Sequence, residues 1–266
     1  MCTLVRLTIG IYETMRASDM KGKAALVTGA ASGLGRATAM ALAKAGADLL
    51  LADVKRQGLE EAATELGGFG TKLRVHPADL SVAANCQAAV ASAVEAFGRL
   101  DALCNVAGTI VFAHAHEMKV ADWDKTLAVN LSAPFHLMQA AIPHLLKAEG
   151  AVVNVTSSGA FVGEAYLAAY CATKAGLNHL TKSLAMEYAH KPIRFNAVAP
   201  GGMATGLMAE LQFPEGMDRS LVQRYSGLRG MVDVEDVAEI VAFLASDASR
   251  GFHGACISID KGITAG

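Results

Sequence analysis

Ala24-Ala25-Leu26-Val27-Thr28-Gly29-Ala30-Ala31-Ser32-Gly33-Leu34-Gly35 is the stretch whose reading decides the fold. Its first five residues form a short apolar run of strand type, and Gly33 to Ala45 follows with the period of an Ala-rich helix. Gly29, Gly33 and Gly35 stand where strand turns into helix. A pyrophosphate lying there would meet free N–H groups and the positive end of the helix dipole, and side chains would hold it away. A glycine turn alone says little. The strand before it and the helix after it make it a dinucleotide-binding turn.

Outward from that turn the alternation repeats. A second strand is expected at Asp48 to Ala52, a helix at Arg56 to Leu66, a strand at Lys72 to His76 and a helix at Val82 to Phe97. Then come a strand at Ala102 to Asn105, a helix at Trp123 to Lys147 and a strand at Ala151 to Thr156. The series ends with a helix at Ala168 to Tyr188, a strand at Ile193 to Val198, a helix at Val234 to Ser246 and a strand at Ala255 to Ile259. The class is therefore α/β: a doubly wound parallel sheet of seven strands, helices on both faces, in a single domain. Ligands of such sheets bind at the carboxyl ends of the strands.

The second strand ends at Asp53, about 20 residues beyond the glycine turn, where a carboxylate accepts hydrogen bonds from the adenosine ribose hydroxyls. A 2′-phosphate beside it would be repelled, so NAD is expected over NADP. Lys55 and Arg56 soften that argument, whereas Ser32 puts no positive charge in the glycine loop.

Tyr170 and Lys174 lie four apart on a predicted helix, hence on one face. A free tyrosine is a poor base at neutral pH, but a nearby ammonium favours phenolate, and a cationic nicotinamide ring would act in the same direction. Ser157 lies 13 residues before Tyr170 at a strand end, where its hydroxyl could bond a substrate oxygen as charge develops. The neighbouring Ser158 is expected only to bond turn backbone.

These residues together resemble the short-chain dehydrogenase/reductase family. The resemblance rests on Thr28-Gly29-x-x-x-Gly33-x-Gly35, Asn105-Val106-Ala107-Gly108, Asn130, Ser157, Tyr170-x-x-x-Lys174 and Pro200-Gly201, and it spans about Lys21 to Gly262. It implies a Rossmann-type fold in which Ser157 orients substrate, Tyr170 exchanges the proton, and Lys174 binds nicotinamide ribose and lowers the tyrosine pKa. It also implies that Asn130 holds a proton-relay water and that Asp79 and Leu80 contact adenine. Asn105, Ala107 and Gly108 would border the cofactor, with Gly29, Ser32, Gly33, Leu34 and Gly35 at its phosphates. Pro200, Gly201, Met203 and Thr205 would meet its nicotinamide end. One departure is visible: the family commonly ends this region Asp-Gly-Gly, and here it reads Asp260-Lys261-Gly262.

The rest of the chain bounds the function. Its 23 basic and 25 acidic residues nearly cancel and form no basic run, which argues against nucleic acid and for a small-molecule alcohol or ketone. Five scattered cysteines without a CxxC pair suggest reduced thiols and a cytoplasmic protein, and no apolar run suggests a membrane span. Residues 1–20 have no place in the motif pattern and are expected to be a variable extension before a single domain at 21–266. Residues 201–232 exceed ordinary loop length and read as a substrate lid. Met203, Leu207, Met208, Leu211 and Phe213, with Met217, Leu221, Val222 and Tyr225, would give it either an apolar wall for a partly apolar substrate or a face packed on the sheet. Phe161, Val162, Glu164 and Thr109 to Phe112 should face the same cleft.

His114 and His116 lack a third ligand at metal spacing, so no metal is expected. The small and apolar residues of Trp123 to Lys147 and Ala168 to Tyr188 exceed what one buried face uses and suggest a homotetramer or dimer. Three readings follow: an NAD-dependent dehydrogenase acting on a secondary alcohol or ketone, an NADPH-dependent 3-oxoacyl-thioester reductase, and a non-catalytic dinucleotide-binding sensor or scaffold.

Overall fold

The computed structural model describes residues 19–204, 212–223, 225 and 227–265. Its strands are β1 (Ala24–Thr28), β2 (Asp48–Asp53), β3 (Leu73–Pro77), β4 (Ala102–Asn105), β5 (Ala151–Val155), β6 (Arg194–Pro200) and β7 (Cys256–Ile259). They pair in parallel in the order β3-β2-β1-β4-β5-β6-β7. The helices are α1 (Gly33–Lys44), α2 (Arg56–Leu66), α3 (Ala83–Phe97), α4 (Val120–Leu127), α5 (Ala133–Ala148), α6 (Ala168–Glu187), α7 (Arg219–Gln223) and α8 (Val234–Ala245). Chain order reverses direction between β1 and β4, which opens a crevice at their carboxyl ends.

Strand alternation divides the core. Ala25, Val27, Leu49 and Leu51 pack with α1, α2 and α8 on one face. Leu26, Leu50, Leu103, Val152 and Phe195 pack with α3, α5 and the end of α6 on the other. The central strands read as continuous apolar runs because both of their faces are covered.

Three expectations need correction. The helix expected over Trp123 to Lys147 is two helices joined by a π-turn at Ala128–Ser132, where the Ala133 amide reaches back to the Ala128 carbonyl. Pro134 has no N–H to give the Asn130 carbonyl four residues before it, so the α-ladder cannot run straight through. Second, β6 continues to Pro200 and delivers that residue to the ligand edge. Third, Met20 belongs to the fold, not to an extension: its side chain is wholly buried and its amide donates to the Ala45 carbonyl (2.9 Å), closing the end of α1. Residues 1–18 lie outside the described residues.

Where β1 and β4 part company, their ends are tied by one side chain. The Thr28 hydroxyl oxygen accepts from the amides of Val106 and Ala107, each at 3.0 Å, and its proton points to the Cys104 carbonyl at 3.4 Å. The lid span begins and ends at one place, since Met203 forms a β-bridge with Val232 and the Val232 amide donates to the Gly202 carbonyl (2.8 Å). Within it the described helix is the short α7. Among the described residues no helix is long and apolar enough to cross a membrane.

Thr28→Val keeps shape but strands two amides. It should lower unfolding stability by about 2 kcal/mol, as read by urea denaturation.

Candidate active site

The glycine turn ends on a helix head that is open to an anion. Ser32 stands at the N-cap of α1, but its side chain makes no capping bond and the first turn carries no acid. Gly35 lies so close under the turn that a β-carbon on it would fall 2.1 Å from the Gly29 carbonyl oxygen. Gly29 itself takes φ 70°, and a β-carbon there would meet Ala107 Cα at 3.0 Å. The turn therefore admits neither side chain.

Asp53 ends β2 and folds back on this turn, its carboxylate accepting from the amides of Ala31 (3.2 Å) and Lys55 (2.9 Å). Those two bonds fix it while leaving acceptor capacity for hydroxyl donors. Asp79, past β3, accepts from the Ser81 amide (2.9 Å), and hydrogen bonds from Ser81 hold its carboxyl below the ordinary range. Leu80 is buried beside it. Asn105 donates to Asn154 Oδ1 (2.8 Å), and its own Oδ1 is buried with no protein partner.

Pro200 closes β6, and Gly201 lies against the Asp260 backbone, where a β-carbon would sit 3.0 Å from its Cα. Thr205, Leu207, Met208 and Leu211 lie outside the described residues. An uncapped helix head, a turn without room for side chains and a carboxylate fixed at the next strand tip together fit a nicotinamide dinucleotide.

Ser157, Tyr170, Lys174 and Asn130 converge beside this cradle. Lys174 is buried, donates to the Val155 carbonyl (2.9 Å) and stands 5.6 Å from the centre of the Tyr170 ring. A β-carbon on Gly108 would lie 3.5 Å from Asn130 Oδ1 and 3.6 Å from Lys174 Nζ, so the loop after β4 borders both. Asn130 is fully buried at the π-turn and clamps the Thr109 backbone, donating to its carbonyl and accepting from its amide, each at 2.8 Å. It also donates to Thr173 Oγ1 (3.3 Å) on the turn of α6 that carries Tyr170. Its side chain is thus spent on bracing. Pro134 gives the Asn130 carbonyl no α-helical donor.

Burial governs the charges. The Tyr170 phenol is pushed up to about 12, chiefly by burial; a Ser157 hydrogen bond acts against this, and the negative charge of Glu164 adds to it. Burial pulls the Lys174 ammonium down to about 8. Burial of the phenol itself therefore outweighs any lowering by Lys174 among these residues alone. Ser157 rather than Ser158 bonds the turn backbone: its oxygen accepts from the Gly159 amide (3.1 Å), which fixes the oxygen and leaves the proton to give. Ser158 instead donates to Glu164 Oε1 (3.1 Å).

Two participants were not singled out from the sequence. Thr28 entered only as the first residue of the glycine motif, with no role of its own. Tyr166, a non-glycine residue at φ 68°, accepts from Ala113 N (3.0 Å) through its carbonyl and from Asp218 N (2.9 Å) through its hydroxyl. It therefore joins the loop after β4, the head of α6 and the lid. His114 stacks edge-on to it and reaches the Glu215 carbonyl (2.9 Å), so this histidine serves the lid. Phe112 packs on Phe213 of the lid at 4.9 Å between ring centres. Asp260 accepts from the Gly262 and Thr264 amides, each at 2.9 Å. Lys261 takes φ 50° and bonds the Met231 carbonyl, anchoring the lid's end where the family commonly has glycine.

Gly35→Ala should abolish measurable dinucleotide binding by calorimetry and destabilise the fold by about 1–3 kcal/mol, because backbone must move to admit the methyl group.

A family model described as enoyl-(acyl carrier protein) reductase matches residues 29–264. D-threitol dehydrogenase of Mycolicibacterium smegmatis is 38% identical over 92% of this chain and 94% of its own. The 2,5-dichloro-2,5-cyclohexadiene-1,4-diol dehydrogenase of Sphingobium indicum is 36% identical over 94% of this chain and 99% of its own. The crystal structure of 3-ketoacyl-(acyl-carrier-protein) reductase from Brucella melitensis complexed with NADH superposes with a TM-score of 0.83 at 31% identity, covering 92% of this chain and 99% of that one. With the glycine cradle, Ser157, Tyr170 and Lys174 standing at one strand edge, the chain belongs to the short-chain dehydrogenase/reductase family.

Proposed function

We propose that the protein is an NAD(H)-dependent dehydrogenase interconverting a secondary alcohol and its ketone. The observation that carries this is the meeting of Ser157, Tyr170 and Lys174 beside an uncapped helix head. When bound, the dinucleotide supplies hydride acceptance and donation at its nicotinamide. Tyr170 then takes the hydroxyl proton during oxidation and returns it during reduction. Ser157, with its oxygen held by Gly159, donates to the reacting oxygen and aligns it. Lys174 supplies positive charge beneath the tyrosine and a donor for ribose hydroxyls, and Asn130 keeps Thr109 and α6 in register. Lid residues such as Phe213 and Tyr225 provide a partly apolar wall.

Asp53 supports NAD over NADP, since a 2′-phosphate would lie against a fixed carboxylate. The relatives named for alcohol dehydrogenation support the CH–OH reaction. A second reading, reduction of a carrier-bound 3-oxoacyl thioester, is favoured by the Brucella neighbour. Because that neighbour is complexed with NADH, turnover of a 3-oxoacyl thioester rather than of simple ketones is what would distinguish this reading.

We place the enzyme in the cytoplasm, in line with its free thiols at Cys86, Cys104, Cys171 and Cys256. We also assign it a homotetramer or dimer built through α5 and α6, where Phe135 is exposed beside a shallow hollow lined by Leu131, His136, Gly176 and Leu180. Sedimentation equilibrium should return a multiple of the 27.5 kDa chain mass.

Tyr170→Phe should cut turnover of a responsive alcohol or ketone by roughly 10²–10⁴-fold while NADH binding persists. NADH should bind at least about tenfold tighter than NADPH, a difference of about 1.4 kcal/mol. Tight NADPH preference would overturn the role given to Asp53. Intact NAD binding without turnover across an alcohol and ketone panel would leave a sensor or scaffold.

A further inference from the structure

Among the described residues, no cation is paired with Glu164. Its carboxylate lies against the turn that follows β5: Ser158 donates to Oε1 at 3.1 Å, and a β-carbon built on Gly159 would fall 3.1 Å from Oε2 and 3.2 Å from the Cys171 sulfur. Its backbone carbonyl accepts from Leu167 (3.2 Å) at the entry to α6. One neutral hydroxyl is thus the described donor to a group with roughly four acceptor positions. Burial accordingly pushes its carboxyl above the ordinary range.

Bracing Ser158 does not require a charge. A glutamine would accept the same bond without the desolvation cost of an unpaired carboxylate. The carboxylate stands beside the reacting groups, since it lies against Gly159, whose amide holds the Ser157 oxygen (3.1 Å). Of the neighbouring hydroxyls, Ser158 gives its proton to Glu164 and Tyr225 donates to the Ala165 carbonyl (3.1 Å). A ligand hydroxyl would supply a donor to the acceptor positions that the described residues leave over. The alcohol chemistry of the dehydrogenase reading makes that donor a hydroxyl.

Resting on the dehydrogenase reading above, we propose that Glu164 is a specificity-determining residue that accepts a hydrogen bond from a second hydroxyl of the substrate. The enzyme thereby prefers diols and polyols to simple alcohols. The same carboxylate turns away substrates that carry a negative charge at that place.

The test compares kcat/KM for butane-2,3-diol against butan-2-ol, and for cyclohexane-1,2-diol against cyclohexanol, in the wild type, Glu164→Ala, Glu164→Gln and Ser158→Ala. The wild type should favour each diol at least about tenfold, and Glu164→Ala should lower that ratio by roughly 10- to 100-fold, mainly through KM, as expected for loss of a hydrogen bond to a charged group. Glu164→Gln, which keeps an acceptor oxygen, should fall between. Ser158→Ala should keep the preference, because it removes the brace and not the acceptor. Equal loss on diol and simple alcohol in both Glu164 variants, or a Ser158→Ala effect matching Glu164→Ala, would make Glu164 a brace and overturn the proposal. Turnover of the simple alcohols with no diol preference in the wild type overturns this inference alone. Absence of turnover on every alcohol and ketone overturns the dehydrogenase reading and this one with it.

Discussion

One hydroxyl group, that of Thr28, governs how the two halves of the ligand edge face each other. Neighbouring strands in a parallel sheet satisfy each other's amides, but at the switch point β1 and β4 send their chains to opposite faces and the ladder stops. The amides of Val106 and Ala107 would be left without partners there, and the threonine oxygen takes both. That bond pair sets Ala107 against Gly29 with no room for a β-carbon between them. The phosphate cradle and the floor of the reaction site are consequently one rigid piece.

Electrostatics in this piece follow from dryness. Tyr170, Lys174 and Glu164 are each driven toward their neutral forms by burial. In such surroundings a charge or a hydrogen bond acts more strongly than it would in water, so the single bond from Ser157 to Tyr170 and the single carboxylate of Glu164 carry weight. A cationic ring arriving beside the tyrosine works with Ser157 against burial. In the dehydrogenase reading, the readiness of Tyr170 as base would be tied to occupation of the cradle.

Much of this was legible in the sequence because local pattern and global fold agree. The turn from Thr28 to Gly35, the apolar strands and the Tyr170 to Lys174 spacing each announce their geometry through a short stretch of chain. What escaped depends on residues far apart. Periodicity ran unbroken through Trp123 to Lys147, and the π-turn became visible only when Pro134 was set against the Asn130 carbonyl. Met20 looked like the end of an extension because a single buried residue has no period, yet its contact lies with the far end of α1. Spacing likewise proposed that Lys174 lowers Tyr170, but desolvation of both groups is a property of the assembled core. The exchange of roles between Ser157 and Ser158 turns on Glu164, whose place against the turn no linear pattern encodes.

The pairing of Met203 with Val232 reaches beyond holding a flap in place. Because that segment leaves and rejoins the sheet at one spot, with Lys261 pinning the return, its interior is an excursion with a closed base. The entropy of such an excursion grows only slowly with its length. Residues can be inserted, deleted or exchanged inside it without altering strand register or the Thr28 tie, provided the contacts of Phe213, Glu215, Asp218 and Tyr225 with the loops beside it are kept. Variation in that loop can in this way proceed separately from the groups written into the sheet edge, with Glu164 among the latter.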